Sequence, residues 1–279
     1  MNNTWKQLTS TYIHTNNAVN RIIAINVTVF IILMLLSVVS FLFQFTNLSS
    51  LIQSYLTLPA SFDKLLFKPW SIVTYMFLHS GFFHLLFNML WLYWLGNLVQ
   101  EYLGNKHVYR LYFFGGVFGG LLFILAFNFF PAFNAYKDIA FALGASAGVL
   151  SIVIASATLL PNYEVQLLLL GFVKLKWIAI VVVILDVIGI ERGNSGGHIA
   201  HLGGAVLGFF YIKQLYGKAS IHNLFSKLGF NRKKLKIVHK STTPVQQEEI
   251  DAVLDKISKS GYDSLTKREK EILFKASKQ

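Results

Sequence analysis

Six stretches of apolar residues, five of them 18 to 23 residues long and near the ~20 needed to cross a hydrocarbon core, the fifth a less regular one of 14, leave this chain few folds to choose from. Inside a bilayer every backbone N–H and C=O has to be satisfied by the protein itself, so such stretches fold as helices. They run from about Ile22 to Phe43, Phe82 to Val99, Val108 to Phe130, Ile139 to Leu160, Trp177 to Ile190 and His198 to Tyr216. The 279 residues are 54% hydrophobic and 14% charged, whereas a soluble domain is nearer a quarter charged. The expected fold class is therefore all-α: a polytopic membrane bundle of six transmembrane helices, with a small cytoplasmic helical hairpin at the end. The absence of cysteine excludes disulfides, thiolate nucleophiles and thiolate metal sites.

The parts between the spans divide the chain. Residues 1–20 form a polar segment without the basic-apolar-small pattern of a cleaved signal, and 21–217 form the membrane domain. Gln44 to Ser80 reads as an amphipathic connection lying in the interface, and Glu164 to Lys176 as a second interfacial piece. Lys6, Arg21, Lys106, Arg110 and the basic tail fall on one side of six spans, which puts both termini in the cytoplasm. Net charge is +12, and residues 213–279 hold 15 Lys and Arg against 7 Asp and Glu. That is an orientation signal rather than a nucleic-acid footprint.

Residues 218–246 are a basic juxtamembrane segment and linker. Arg232-Lys-Lys234, Lys236 and Lys240 suit anionic lipid, and equally a solvated stop-transfer flank. Residues 247–279 form the hairpin: Ile250, Val253, Leu254 and Ile257 recur at helical spacing, and Gly261 is placed to end that helix. Thr266-Lys-Arg-Glu269 is a capping box for a last helix through about Ala276.

Polar side chains at membrane depth are costly, so each needs a reason. Ser146 lies between Gly144 and Gly148. On those five residues alone, small residues that let helices pack are the commoner reading, since a nucleophile on a G-x-S-x-G turn follows a strand and this serine is expected within a helix. His84 and Asn88, four apart at the start of the second span, share a face. His198 and His201 do so at the start of the sixth. Spans two, four and six run the same way, which brings His84, Asn88, Ser146 and His201 within roughly 10 Å of one surface. A serine with a nearby imidazole base and fixed amide or N–H donors is the equipment for acyl transfer.

These residues resemble the rhomboid family of intramembrane serine proteases. His79-Ser-Gly-Phe-Phe-His84-Leu-Leu-Phe-Asn88 is similar to the family's second-helix signature. Gly144-Ala-Ser146-Ala-Gly148 is similar to its nucleophile motif, and Ala200-His201-Leu-Gly-Gly204 to its histidine motif. The resemblance implies Ser146 as nucleophile and His201 as base, with Asn88 and His84 holding the oxyanion. It implies transmembrane proteins as substrates, cut near the outer leaflet, no cofactor, and residence in a bacterial inner membrane. Asp186, inside the fifth span, is the only carboxylate at plausible depth; a structural hydrogen bond is its expected part, ahead of orienting a histidine, and the resemblance puts it where some members carry an acid without a catalytic role. Some members place a Tyr four residues after the serine to stack on the histidine; this chain has Leu150. The competing readings are an inactive rhomboid-like binder of transmembrane helices, and a transporter or metal-binding protein using its histidines. A zinc site is not expected, because no acidic ligand is expected at the histidines' depth.

Overall fold

The computed structural model describes residues 17–45, 48–167, 171–216 and 247–276. The first sixteen residues, the Arg232-Lys-Lys234 basic run and most of the Ser241–Gln247 linker lie outside them. Helix α1 (Ala18–Leu42) is followed by α2 (Leu48–Leu56), strand β1 (Leu58–Pro59), α3 (Phe62–Phe67), α4 (Ser71–Thr74) and a 3-10 turn at Tyr75–Phe77. Then come α5 (Phe82–Leu103), α6 (Asn105–Phe129), strand β2 (Phe141–Ala142) and α7 (Ser146–Leu159). The hairpin β3 (Glu164–Leu167) and β4 (Gly171–Lys174) leads into α8 (Leu175–Gly189), and α9 (Ser195–Tyr216) follows.

Each of the six apolar segments contains a helix. Among the described residues three helices, α1, α5 and α6, are long and apolar enough to cross a membrane by length and composition. The fourth segment differs from expectation. Helix α7 begins at Ser146, not near Ile139, and has 14 residues. At 1.5 Å per residue it is about 21 Å long, short of a ~30 Å hydrocarbon core. The preceding residues are extended instead: Leu58 pairs with Ala142 and Pro59 with Phe141. An apolar run cannot by itself tell a buried strand from a helix, and this one contains both.

Helix α7 is the centre of the bundle. Every residue from Ala147 to Ala157 is buried, as expected of a helix apolar on all sides. Lipid offers no hydrophobic reward for helix pairing, so close van der Waals approach has to do the work, and glycines permit it. A Cβ on Gly204 or Gly208 would lie 2.0 Å from the Ala147 carbonyl oxygen or 2.1 Å from that of Ser151, so α9 rests directly on the backbone of α7. Gly148 faces the other way, toward the Tyr112 carbonyl of α6. The approach of Ser146's helix to His201's is therefore made by Gly204 and Gly208, not by Gly148. By contrast α1 exposes Ile31, Ile32, Met34 and Leu35 along its length, a lipid-facing surface.

The tail is a separate compact unit, with α10 (Gln247–Ser260) and α11 (Lys267–Ala276). Gly261 stops α10 at φ +76°, as its position predicts. Val253 is buried, while Leu254, expected on the same face, is 49% exposed. The capping box forms: the Thr266 N–H donates to Glu269 Oε2 at 2.7 Å, and the Glu269 N–H to Thr266 Oγ1 at 3.4 Å. The Lys256 ammonium, donating to both Glu269 oxygens, and the Thr266 donors hold this carboxyl down to about 2. A carboxyl depressed by folding adds stability above its ordinary value of 4.5 and loses it as pH falls through about 2. Carbon-detected NMR is expected to show Glu269 titrating near 2 and the hairpin loosening only below pH 4.5. An ordinary glutamate titration would refute this.

Candidate active site

Ser146 owes its position to the turn before it. The Gly144 N–H donates to the Tyr75 carbonyl at 2.9 Å, which ties the end of β2 to the 3-10 turn. Gly144 sits at φ +129°, a conformation closed to most L-residues, and the chain then enters α7 with Ser146 as first helical residue. A two-residue strand, a glycine turn and a helix thus precede and carry Ser146, the order of elements found around a nucleophile elbow and not expected of a serine inside a membrane helix. The Ser146 N–H is also among the first N–H groups of a helix, which have no intrahelical acceptor and carry the positive end of its dipole.

His84 stands opposite. Its Nδ1 accepts from the Ser80 N–H at 3.4 Å and lies 3.0 Å from the Ser80 hydroxyl. A ring nitrogen that accepts a backbone N–H carries no proton, so in the neutral ring Nε2 is the protonated one and a donor. That Nε2 lies at the serine turn: a Cβ on Gly144 would be 3.1 Å from it and 3.4 Å from Ser146 Oγ. Glycine keeps this gap open. Asn88 is buried one turn further along α5, and its amide donates to the His84 carbonyl at 2.8 Å, leaving a second N–H.

On α9, His201 Nδ1 lies 2.8 Å from Asp186 Oδ1, and His198 Nδ1 lies 2.8 Å from the same oxygen. A carboxylate oxygen only accepts, so both rings present Nδ1–H to Asp186 and keep Nε2 free as a base. Asp186 comes from α8 and is 5% exposed. Asp186 was expected in a structural hydrogen bond ahead of orienting a histidine, but both of its hydrogen bonds are to histidines, one of them the candidate base. It also supplies what Leu150 cannot: a side chain that fixes the imidazole without an aromatic stack. The expectation that no acid lies at the histidines' depth is overturned by the same contact.

His84, Asn88, Ser146, His198, His201 and Asp186 all line one cavity of about 370 Å³, closed on its apolar side by residues including Trp91, Leu150 and Val182. The four residues singled out in the sequence thus share one chamber. Two partners were not legible. Ser80 orients His84 from the loop, and Gly189 makes room for His198, with a Cβ there 2.5 Å from the ring. Both depend on contacts between elements, and no local pattern marks either.

A glycine-packed apolar helical bundle with a half-open pocket lined by Ser, His, Asn and Asp defines a helical membrane protein. The chain belongs to the rhomboid family: a rhomboid-domain model matches residues 67–218, more than half of its length. A second match, to a family of unknown function (DUF6576), covers residues 243–279. Rhomboid protein 1, mitochondrial, of Saccharomyces cerevisiae is 26% identical over 200 residues, or 71% of this chain and 53% of that protein. Presenilin-associated rhomboid-like protein A, mitochondrial, of Danio rerio is 29% identical over 143 residues, or 49% of this chain and 35% of that protein. The chain spans about half of the first relative's length and less of the second's.

Proposed function

We propose that this protein is an intramembrane serine endopeptidase that cleaves transmembrane-helix substrates near the outer leaflet. The observation that carries the reading is the shared cavity, in which an elbow serine stands with an imidazole whose Nδ1 is held by a carboxylate. Ser146 Oγ attacks the scissile carbonyl carbon while His201 Nε2 takes its proton. The oxyanion is met by the Ser146 N–H, His84 Nε2–H and the Asn88 amide. Collapse breaks the C–N bond, and His201 returns the proton to the leaving amine. Water, deprotonated by the same nitrogen, then releases the acyl group from Ser146. The choice of His201 over His198 rests on its Ala200-His201-Leu-Gly-Gly204 context.

Six crossings, both termini cytoplasmic and a bacterial inner membrane complete the proposal. The Lys and Arg bias supports the orientation. The bacterial inner membrane rests on the family resemblance alone, and the curated relatives above are mitochondrial.

A fluorophosphonate probe tests the nucleophile without a known substrate. It is expected to label the wild type on Ser146 and to leave Ser146→Ala unlabelled; label that persists in the variant sinks the assignment. His84→Ala and Asn88→Ala should still be labelled, and should each lower the cleavage rate by about 10²–10³, the usual cost of losing one oxyanion donor.

A further inference from the structure

We propose that Asp186, His198 and His201 form a binding site for one divalent cation of the zinc class. The three offer ligand atoms that all lie within 4.8 Å of one another, one from α8 and two from adjacent turns of α9. Asp186 Oδ1 is 2.8 Å from each histidine Nδ1. Zinc bonds of ~2.0–2.2 Å at tetrahedral angles place ligand atoms about 3.3 Å apart, so the two Asp186–histidine distances have to open by about half an ångström while the wider pair, within 4.8 Å, closes by up to about 1.5 Å. Two imidazoles and one carboxylate suit zinc or cobalt rather than magnesium or calcium, which prefer all-oxygen shells.

Hydrogen bonding alone leaves something unexplained here. One carboxylate oxygen accepts from both rings, while Oδ2 is buried without a hydrogen-bond partner among the described residues. A buried unpartnered carboxylate oxygen is costly, and a cation would use it. Gly189 is the second sign of a built site. Any side chain there would meet the His198 ring, so the bare position is what lets His198 reach Asp186. The rings are 25% and 28% exposed and line the cavity, which leaves a path for the ion and room for a water as fourth ligand.

Binding replaces the two Nδ1 protons with the metal and releases them to solvent. The binding claim rests on this geometry alone. Its consequence rests on the protease reading: a cation on His201 Nδ1 draws density from Nε2 and removes the carboxylate contact, so the base weakens and cleavage stops.

The test is a Co²⁺ titration of the full chain in detergent, read by visible absorption. Wild type should bind one Co²⁺, displaceable by Zn²⁺. His198→Ala and Asp186→Ala, on different helices, should each bind about 100-fold more weakly, since even outer-shell losses cost 10–100-fold. Ser146→Ala should bind like wild type, which separates this outcome from failure of the protease reading. In the cleavage assay Zn²⁺ should inhibit wild type, and His198→Ala should need about 100-fold more of it, each relative to its own metal-free rate. No saturable Co²⁺ absorption, or equal titration of both ligand variants and wild type, overturns the site. Saturable binding that leaves cleavage untouched overturns the claim that the ion occupies His201.

Discussion

Replacing Ser146 by Ala is expected to abolish cleavage of a transmembrane substrate, on the order of 10⁴-fold or more in rate. His201→Ala should cost about as much, and the double variant little more than either, because nucleophile and base act as one unit and their losses do not add. The reason is physical. A serine hydroxyl has almost no nucleophilicity at neutral pH until a base is poised to take its proton. The measurement is product formation from a panel of reconstituted transmembrane substrates, with insertion of each variant checked independently. Undiminished cleavage by Ser146→Ala ends the protease reading, and a large additional loss in the double variant ends the claim that the two act together.

The largest effect on stability is expected at the α7–α9 contact. At Gly204 and Gly208 the atom a Cβ would meet is a main-chain carbonyl oxygen, at 2.0 and 2.1 Å. A side-chain neighbour can rotate away; a helix backbone cannot, so α9 has to lift off α7. Gly208→Leu should cost about 3 kcal/mol or more, at or beyond the upper end of overpacking penalties. It should also lower labelling of Ser146, because the serine's helix carries the strain. Gly81→Ala is the control: nothing lies within 4 Å of a Cβ there, so its unfolding midpoint in detergent should match the wild type within about 0.5 kcal/mol. Equal midpoints for Gly208→Leu and wild type would show that the helices are not held at glycine distance.

How far the sequence carried the structure depended on the range of the interaction. The capping box of Thr266 and Glu269 was legible because all its partners lie within four residues. His84, Asn88, Ser146 and His201 could be brought to one depth from helix direction and rise alone, and they do line one cavity. The start of α7 was misread because strand and helix are equally apolar inside a membrane, and only the pairing of Leu58 with Ala142 decides between them. Asp186 was noticed as a carboxylate at depth, yet its contact with His201, fifteen residues away on the next helix, depends on the α8–α9 turn. No local pattern encodes that turn's geometry.

The two-residue pairing of β1 with β2 has a mechanical meaning. Asn128 also bonds the Ala60 carbonyl, and the Ala60 N–H donates to the Ala140 carbonyl, so the piece from Leu58 to Ala60 is riveted to the strand that delivers the nucleophile. Only Leu143, Gly144 and Ala145 separate that strand from Ser146, with no helical turn between to absorb displacement. The connection around it carries exposed Leu66, Phe67 and Trp70. If Ser146 is the nucleophile, a displacement of that apolar rim has only this short connection to cross before it reaches the serine oxygen. On the protease reading, the thickness of the surrounding lipid then becomes an input to the cleavage rate, measurable in bilayers of different acyl-chain length.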